Sequence, residues 1–179
     1  MNRVREIYDR ILEIIAVVLI VAVTTVVVLG FGFRWAGQSL VWYDEVASIS
    51  LAWLTYYAAA LAAMRGSHLG FSGFVNSLPA KMRVAAVLFS SGVTIFLFVL
   101  MAFVGMKLLP VIAGITLVSL PDVSQGIVMS AIPIASTLFV IAELLRLPGL
   151  LAEARRGPLV DAELKDALEH AGIKPERRR

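Results

Sequence analysis

The uncharged run from Val46 to Met64 constrains the fold of this chain more than any other part of its sequence. Glu45 precedes the run, and Arg65 and His68 follow it. Glu45 and His68 are 23 positions apart in the sequence. In one continuous helix that separation is about 34 Å, close to the roughly 30 Å thickness of the hydrocarbon core of a bilayer. The polar residues therefore fall where the two faces of a membrane would lie, and the run predicts a membrane-spanning helix.

Three more apolar runs indicate an integral membrane protein. Of the 179 residues, 59% are hydrophobic and 16% are charged. The mean hydropathy of +0.86 is far above that of a soluble domain. The charges are confined to short clusters between the runs, so we predict an all-α integral membrane protein with four transmembrane helices. The predicted spans cover residues 11–33, 45–64, 84–108 and 125–147.

The first apolar run, residues 11–33, is rich in Val and Ile, which favour strands in soluble proteins. It is too long for a strand and lacks the alternation of a membrane barrel, whereas a spanning helix satisfies its own backbone hydrogen bonds. A signal peptide is the alternative. The run is longer than the usual apolar core of such a peptide, and no A-x-A-like site follows it. We therefore predict a spanning helix here.

The segment of residues 66–83, between the second and third spans, is too polar and too short to cross a membrane. Four of its apolar residues follow the i, i+3, i+4, i+7 spacing of one helix face: Phe71, Phe74, Val75 and Leu78. This spacing predicts a short amphipathic helix that lies in the membrane interface, with Lys81 and Arg83 at its end. An ordinary loop is the alternative.

The fourth span and the tail differ in character. Pro133 removes one helical hydrogen bond and predicts a kink in the fourth span. After Pro148 the sequence becomes rich in charge. We therefore predict a four-helix membrane domain over residues 1–148 and a charged tail over residues 149–179, with a short helix at residues 161–171.

The distribution of basic residues predicts the topology. With four spans, both termini and the 65–83 segment share one side, which carries 14 of the 16 Lys and Arg residues. The other side carries Arg34 and Lys107. Because basic residues accumulate on the cytoplasmic side, both termini and the tail are predicted to be cytoplasmic.

No catalytic or cofactor site is predicted. There is no cysteine, no phosphate-binding glycine loop and no HExxH pattern, and the two histidines, His68 and His170, belong to different segments. No ionisable residue lies at the midplane of a predicted span, as transport pathways usually require. The net charge of +3 comes from residues beside apolar runs, where lipid and topology explain it, so nucleic acid is not expected. Small residues recur at helical spacing on the second span and favour packing against a partner instead: Ser48, Ala52, Thr55, Ala59 and Ala62 or Ala63.

Three polar or aromatic residues around the second span have open interpretations. Glu45 either starts a helix in the headgroup layer, where a helix N-terminus favours negative charge, or contacts a partner chain. Trp53 lies about 12 Å below Glu45, deeper than a tryptophan of the interfacial belt, and either faces lipid or contacts another subunit. His68 is most simply an interfacial polar group.

The order and spacing of residues around the second span resemble the small membrane subunit (DctQ type) of tripartite ATP-independent periplasmic (TRAP) transporters. The resemblance covers about residues 5–148 and includes the four-helix plan and the proline in the fourth span, Pro133. Two features depart from it: alanines replace a glycine of the second helix, and the tail is longer and more charged. The matching residues are Glu45, Trp53, the alanines within 58–63, Arg65, Gly66, His68, Leu78, Pro79 and Arg83.

The resemblance implies a non-catalytic subunit in a bacterial inner membrane. Its expected partners are the large TRAP membrane subunit, which carries the substrate and sodium sites, and a periplasmic substrate-binding protein that delivers an organic acid. The small subunit would brace the large one. Glu45, Trp53, His68, Pro79, Arg83 and Pro133 then become candidate interface or structural residues. The alternatives are a self-associating membrane-anchored structural or signalling protein and, less favoured, a small exporter dimer.

Overall fold

The structure is a computed structural model that describes residues 2–66 and 77–156. Within these ranges all the regular structure is helical, and four helices are long and apolar enough to cross a membrane. The predicted all-α fold with four spans is therefore confirmed. The predicted interfacial helix falls mainly on residues outside the described ranges. The helices are α1 (Asn2–Trp35), α2 (Tyr43–Arg65), α3 (Ala80–Ile112), α4 (Gln125–Met129) and α5 (Ala131–Arg156).

The long helices stand in the order α1, α2, α5, α3, because the extensive contacts are those of α1 with α2, α2 with α5, and α5 with α3. The helices α1 and α3 are therefore the two edges of the assembly. Both edges expose apolar side chains along their length, as lipid or a partner protein requires. We call the end with Asn2 and Arg65 the termini end, and the end with residues 36–42 and 113–124 the loop end.

The helix α2 lies close to α1 and α5 because alanines occupy its contact face. Ala60 and Ala63 are fully buried and pack in one cluster with Leu12 of α1 and Phe139 of α5. Small side chains allow backbones to approach closely, which is the main way helices associate in lipid. Of the small-residue stripe predicted on this helix, Ala63 belongs to this cluster and Ala59 packs against it, so the second half of the stripe packs within the chain.

The helices α3 and α5 pack through one aromatic stack and one glycine. The rings of Phe98 and Phe139 are stacked, with centroids 3.6 Å apart and planes 4° apart. Nearer the loop end, a Cβ on Gly105 would lie 3.0 Å from Cδ of Pro133. Only a residue without a side chain fits comfortably against the proline ring at that point.

The helices are longer than the predicted spans. The charged lead of residues 2–10 is part of α1, and α5 continues through Pro148 to Arg156 instead of ending at residue 147. Leu150 and Ala154, which follow the proline, are buried against Val87 of α3. This burial stabilises the helix beyond the hydrogen bond that the proline removes. Likewise, α3 continues two residues past Pro110 to Ile112 and begins at Ala80 instead of residue 84.

The fourth span is broken near Pro133, where the sequence predicts a kink. The short helix α4 ends at Met129, and α5 begins at Ala131, so that Pro133 is the third residue of the new helix. The proline ring clashes with the carbonyl four residues earlier, at Met129, which explains the position of the break. The hydroxyl of Ser130 donates to the carbonyl of Ile127 at 2.6 Å within the broken turn.

Candidate subunit interface

Glu45 ties the start of α2 to the loop between α3 and α4. Its two carboxylate oxygens accept hydrogen bonds from consecutive backbone N–H groups: Oε1 from Val118 at 3.3 Å and Oε2 from Ser119 at 2.8 Å. The loop itself folds back through a β-bridge between Thr116 and Ser124. The carboxylate is thus engaged within the chain, where it holds this loop against the first turn of α2.

Trp53 makes a second connection between α2 and the broken span. Its indole Nε1–H donates to the carbonyl oxygen of Val128 at 2.9 Å. Val128 lies in α4, immediately before the break, so the bond satisfies a carbonyl where helical bonding is interrupted. The ring also makes a tilted contact with Tyr57, with centroids 6.5 Å apart. The polar group of Trp53 is therefore used inside the chain.

The Trp53 ring also lines an outward groove between α1 and α2, which we call the Trp53 groove. Its volume is about 300 Å³, and it is open to the outside of the assembly. Its lining is predominantly apolar, which makes it a surface for lipid tails or for a partner helix. The lining residues are Ile14, Ile15, Val18, Leu19, Trp53 and Tyr57.

A second concavity lies at the loop end, between α2 and the segment 117–129. Its volume is about 510 Å³. Ser48 and Ala52, two members of the predicted small-residue stripe, line it and are exposed. The Ser48 hydroxyl donates to the carbonyl of Asp44 at 2.8 Å, so it is satisfied by its own helix. Half of the stripe therefore remains open at the loop end while the other half packs internally.

An ion-pair cluster that no sequence pattern predicted holds α1 and α2 together at the termini end. Arg65 donates to both carboxylate oxygens of Asp9 at 3.1 Å, and its Nη2 also lies 3.2 Å from Oε2 of Glu13. The neighbouring residue of Asp9, Tyr8, donates its hydroxyl to the carbonyl of Leu138 in α5 at 2.6 Å. These contacts explain why the charged lead is helical: one face of it packs against two neighbouring helices.

Pro79 and Arg83 build the start of α3. Pro79 is the residue immediately before the helix, and its carbonyl accepts a hydrogen bond from the backbone N–H of Arg83 at 2.9 Å. The Arg83 side chain folds back, so that its Nη2 donates to the carbonyl of Leu78 at 3.2 Å. The leucine, proline and arginine of the resemblance therefore form a helix-start structure. His68 lies outside the described residues.

The interior of the α3–α5 contact contains a buried polar pair. The Ser91 hydroxyl donates to Oε1 of Glu143 at 2.8 Å, and both residues are buried. The sequence places Glu143 at the end of the fourth span, but the longer α5 places it near the middle of that helix. One turn on, Arg146 is buried against Gly66, whose φ of +86° ends α2. The sequence signal for this buried pair is a charged residue, Glu143, within an apolar run. Because the predicted span ended at residue 147, Glu143 was placed near a helix end and its burial was not predicted.

The contacts described above hold the helices of the chain together. Among the described residues no cluster of three His, Cys, Asp or Glu residues could hold a metal ion. The candidate residues fall into three places: Glu45 and Trp53 at the loop half of α2, Pro79 and Arg83 at the start of α3, and Pro133 at the break. The first pair borders open surface, so it is the better candidate for a partner contact.

Comparison with known proteins identifies a matching family and a curated relative. The family described as "Tripartite ATP-independent periplasmic transporters, DctQ component" matches residues 19–153, about three quarters of the chain. A curated relative from Vibrio cholerae, the sialic acid TRAP transporter small permease protein SiaQ, is 32% identical over 89 residues. That match covers 49% of this chain and 51% of the relative, so the chain aligns with about half the length of the curated relative it matches.

Proposed function

The chain belongs to the DctQ component family of tripartite ATP-independent periplasmic transporters, and on that premise we propose that it braces the large membrane subunit of such a transporter. It is a multi-pass membrane protein and a small permease subunit. We propose further that it is not an enzyme and that the substrate site lies in the large subunit. In this role the chain supplies a rigid, apolar surface against which the larger protein is held.

The observation that carries the proposal is the combination of an open Trp53 groove and two apolar edge helices. The helices α1 and α3 do not pack against each other, because α2 and α5 lie between them in the order α1, α2, α5, α3. The polar groups of Glu45 and Trp53 are bonded internally, so a partner would meet the ring of Trp53 and the apolar walls around it. Such a surface binds by shape and burial, which suits a permanent structural partner.

The transported substrate belongs to the whole complex. One relative is named for sialic acid, which is an organic acid. We propose sodium-coupled uptake of an organic acid that a periplasmic binding protein delivers to the assembled membrane subunits. Uptake of a radiolabelled organic acid into proteoliposomes should require both membrane subunits and the binding protein. Uptake by this chain alone would contradict the bracing role and favour an autonomous exporter.

We also propose that the membrane is the bacterial inner membrane and that the termini end is cytoplasmic, since that end carries most of the basic residues. The chain has no cysteine, which makes labelling of single introduced thiols direct. Gln38→Cys at the loop end should react with an impermeant maleimide in intact spheroplasts. Ala80→Cys at the termini end should react only after permeabilisation. The reverse pattern would invert the topology.

Co-purification tests the subunit assignment. The tagged chain, expressed together with a large TRAP membrane subunit from the same organism, should elute with that subunit as one stoichiometric complex. A stable homo-oligomer that never captures the large subunit would instead favour a self-associating membrane protein. Trp53→Ala, which removes a wall of the groove, should lower the complex yield, whereas Trp53→Phe keeps a ring there and should preserve it. Equal yields from Trp53→Ala and the wild-type chain would remove Trp53 from the interface.

A further inference from the structure

The edge helix α1 carries an apolar stripe on its outer side that no other described part of the chain covers. The stripe is defined by residues spaced alternately three and four positions apart. All of its members are Val or Ile, and all are exposed. We call it the α1 stripe, and it consists of Val4, Ile7, Ile11, Ile14, Val18 and Val21.

This spacing is the one by which one helix packs along another. Apolar residues that repeat every 3.5 positions stay on the side that faces a partner when two helices cross at about 20°. Lipid tails impose no spacing, because they contact every face of a helix equally. Within the fully apolar middle of α1 the repeat has little meaning. At residues 3–14 it is informative, because charged residues occupy most other positions there.

The first residues of the α1 stripe, Val4 and Ile7, lie too far from the centre of the membrane to be in contact with lipid tails. Asp9, Glu13 and Arg65 form the ion-pair cluster at the end of α2, and such a cluster does not lie in the hydrocarbon core. Val4 lies about 7 Å further out along the helix than Asp9. Val4 and Ile7 are 61% and 60% exposed, in a layer of headgroups and water. Burial of these two large apolar side chains against another protein removes them from water, which is favourable.

The stripe is continuous with the Trp53 groove. Ile14 and Val18 belong to both, so the stripe leads from the charged end of α1 directly to the ring of Trp53. A partner helix that lies along the stripe would therefore rest against α1 and α2 together. One occupant would cover the exposed apolar residues beyond the membrane core and fill the groove within it.

We propose that the α1 stripe and the Trp53 groove together receive one helix of the large membrane subunit, and that this helix continues past the hydrocarbon core at the termini end. The inference rests on the proposed function, since it takes the large subunit as the partner. It adds the location of the contact, its helix-on-helix geometry and its extension beyond the bilayer core.

Single-thiol cross-linking tests the location. Cysteine is introduced at Ile7, Ile11 or Ile14 on the stripe, or at the exposed off-stripe positions Glu6 and Val17 as controls. A maleimide–benzophenone is attached to the co-expressed complex, which is then irradiated and analysed by gel shift. The stripe positions should yield a product of this chain with the large subunit at least fivefold more strongly than the controls.

The outcomes separate this inference from the proposed function. Co-purification without any stripe-specific product would overturn the inference and leave the bracing role intact. A product between two copies of this chain, or within one copy, would assign the stripe to a different occupant and also overturn it. Failure to co-purify would remove the proposed function itself.

A substitution gives a second test of the location. Ile7→Gln, outside the membrane core, should lower complex yield several-fold, while the adjacent control Glu6→Gln should not. Equal yields from both variants would contradict a contact at Ile7.

Discussion

Replacing Ser91 with Ala tests whether the buried polar pair holds α3 to α5. Ser91 Oγ donates to Oε1 of Glu143 at 2.8 Å, in the interior of the helix pair. Glu143 is only 7% exposed, so water cannot readily replace the lost donor. The substitution removes one oxygen atom and leaves an unpaired acceptor near the middle of α5, with little change in packing volume.

The expected size of the effect follows from two bounds. Hydrogen bonds between membrane helices contribute about 0.6 kcal/mol on average and about 1.7 kcal/mol at most. A bond to a charged group contributes about 1.5–3 kcal/mol. Because the acceptor is a carboxyl group buried between helices, we expect Ser91→Ala to lower the free energy of unfolding by about 1–2 kcal/mol. That loss changes the unfolding equilibrium roughly 5- to 30-fold.

The matched control is the neighbouring residue of α3, Ser90, which is exposed. Reversible unfolding of the purified chain in mixed micelles, followed by circular dichroism, gives the free energy for each variant. Ser90→Ala should change it by less than about 0.5 kcal/mol. The two changes Ser91→Ala and Glu143→Ala should also be less than additive when combined. Equal effects of Ser91→Ala and Ser90→Ala, or full additivity with Glu143→Ala, would refute the reasoning.

Two further substitutions test the ends and breaks of helices. Gly66→Ala places a side chain at a φ of +86° and against the guanidinium of Arg146, and it should destabilise the chain by about 1–2 kcal/mol in the same unfolding assay. Gly32→Ala, in a helix with open space around it, is the control and should be neutral or mildly stabilising; similar losses from both would mean that the cap geometry is unimportant. Trp53→Phe removes the donor to the Val128 carbonyl, so amide hydrogen exchange across residues 125–134 should become faster while the fold is kept. Unchanged exchange there would show that this bond does not stabilise the break.

Much of the membrane architecture could be predicted, because long apolar runs are local signals. The four spans follow from runs such as residues 46–64, and Pro133 marks the place where the fourth span breaks. The resemblance that rests on Glu45 and Trp53 indicated the family that the comparisons support. The bonding partners of these two residues could not be predicted. Each bonds a backbone group more than 70 positions away, and no sequence pattern marks a backbone carbonyl or N–H as a partner.

Prediction of the candidate interface was limited for a related reason. Trp53 was identified by its depth in the membrane, but its N–H bonds α4 while its ring lines the groove beside α1, and both contacts depend on how these helices pack against α2. The stripe from Val4 to Val21 is visible in the sequence once α1 is known to start at Asn2. A predicted start at residue 11 hid its most informative part, because the charged lead was not recognised as helix.

The sequence by itself determined how many times this chain crosses the membrane. A bilayer accepts only segments that bond their own backbone and bury their own side chains in lipid, so length and composition of each run are sufficient. The tertiary structure decided where the helices end and which of their faces remain open. The helix α5 continues beyond Pro148 because Leu150 is buried against Val87 of α3. The helix α1 is an edge because α2 and α5 lie between it and α3. Those contacts join segments distant in the chain, and their energies arise only when the helices are assembled.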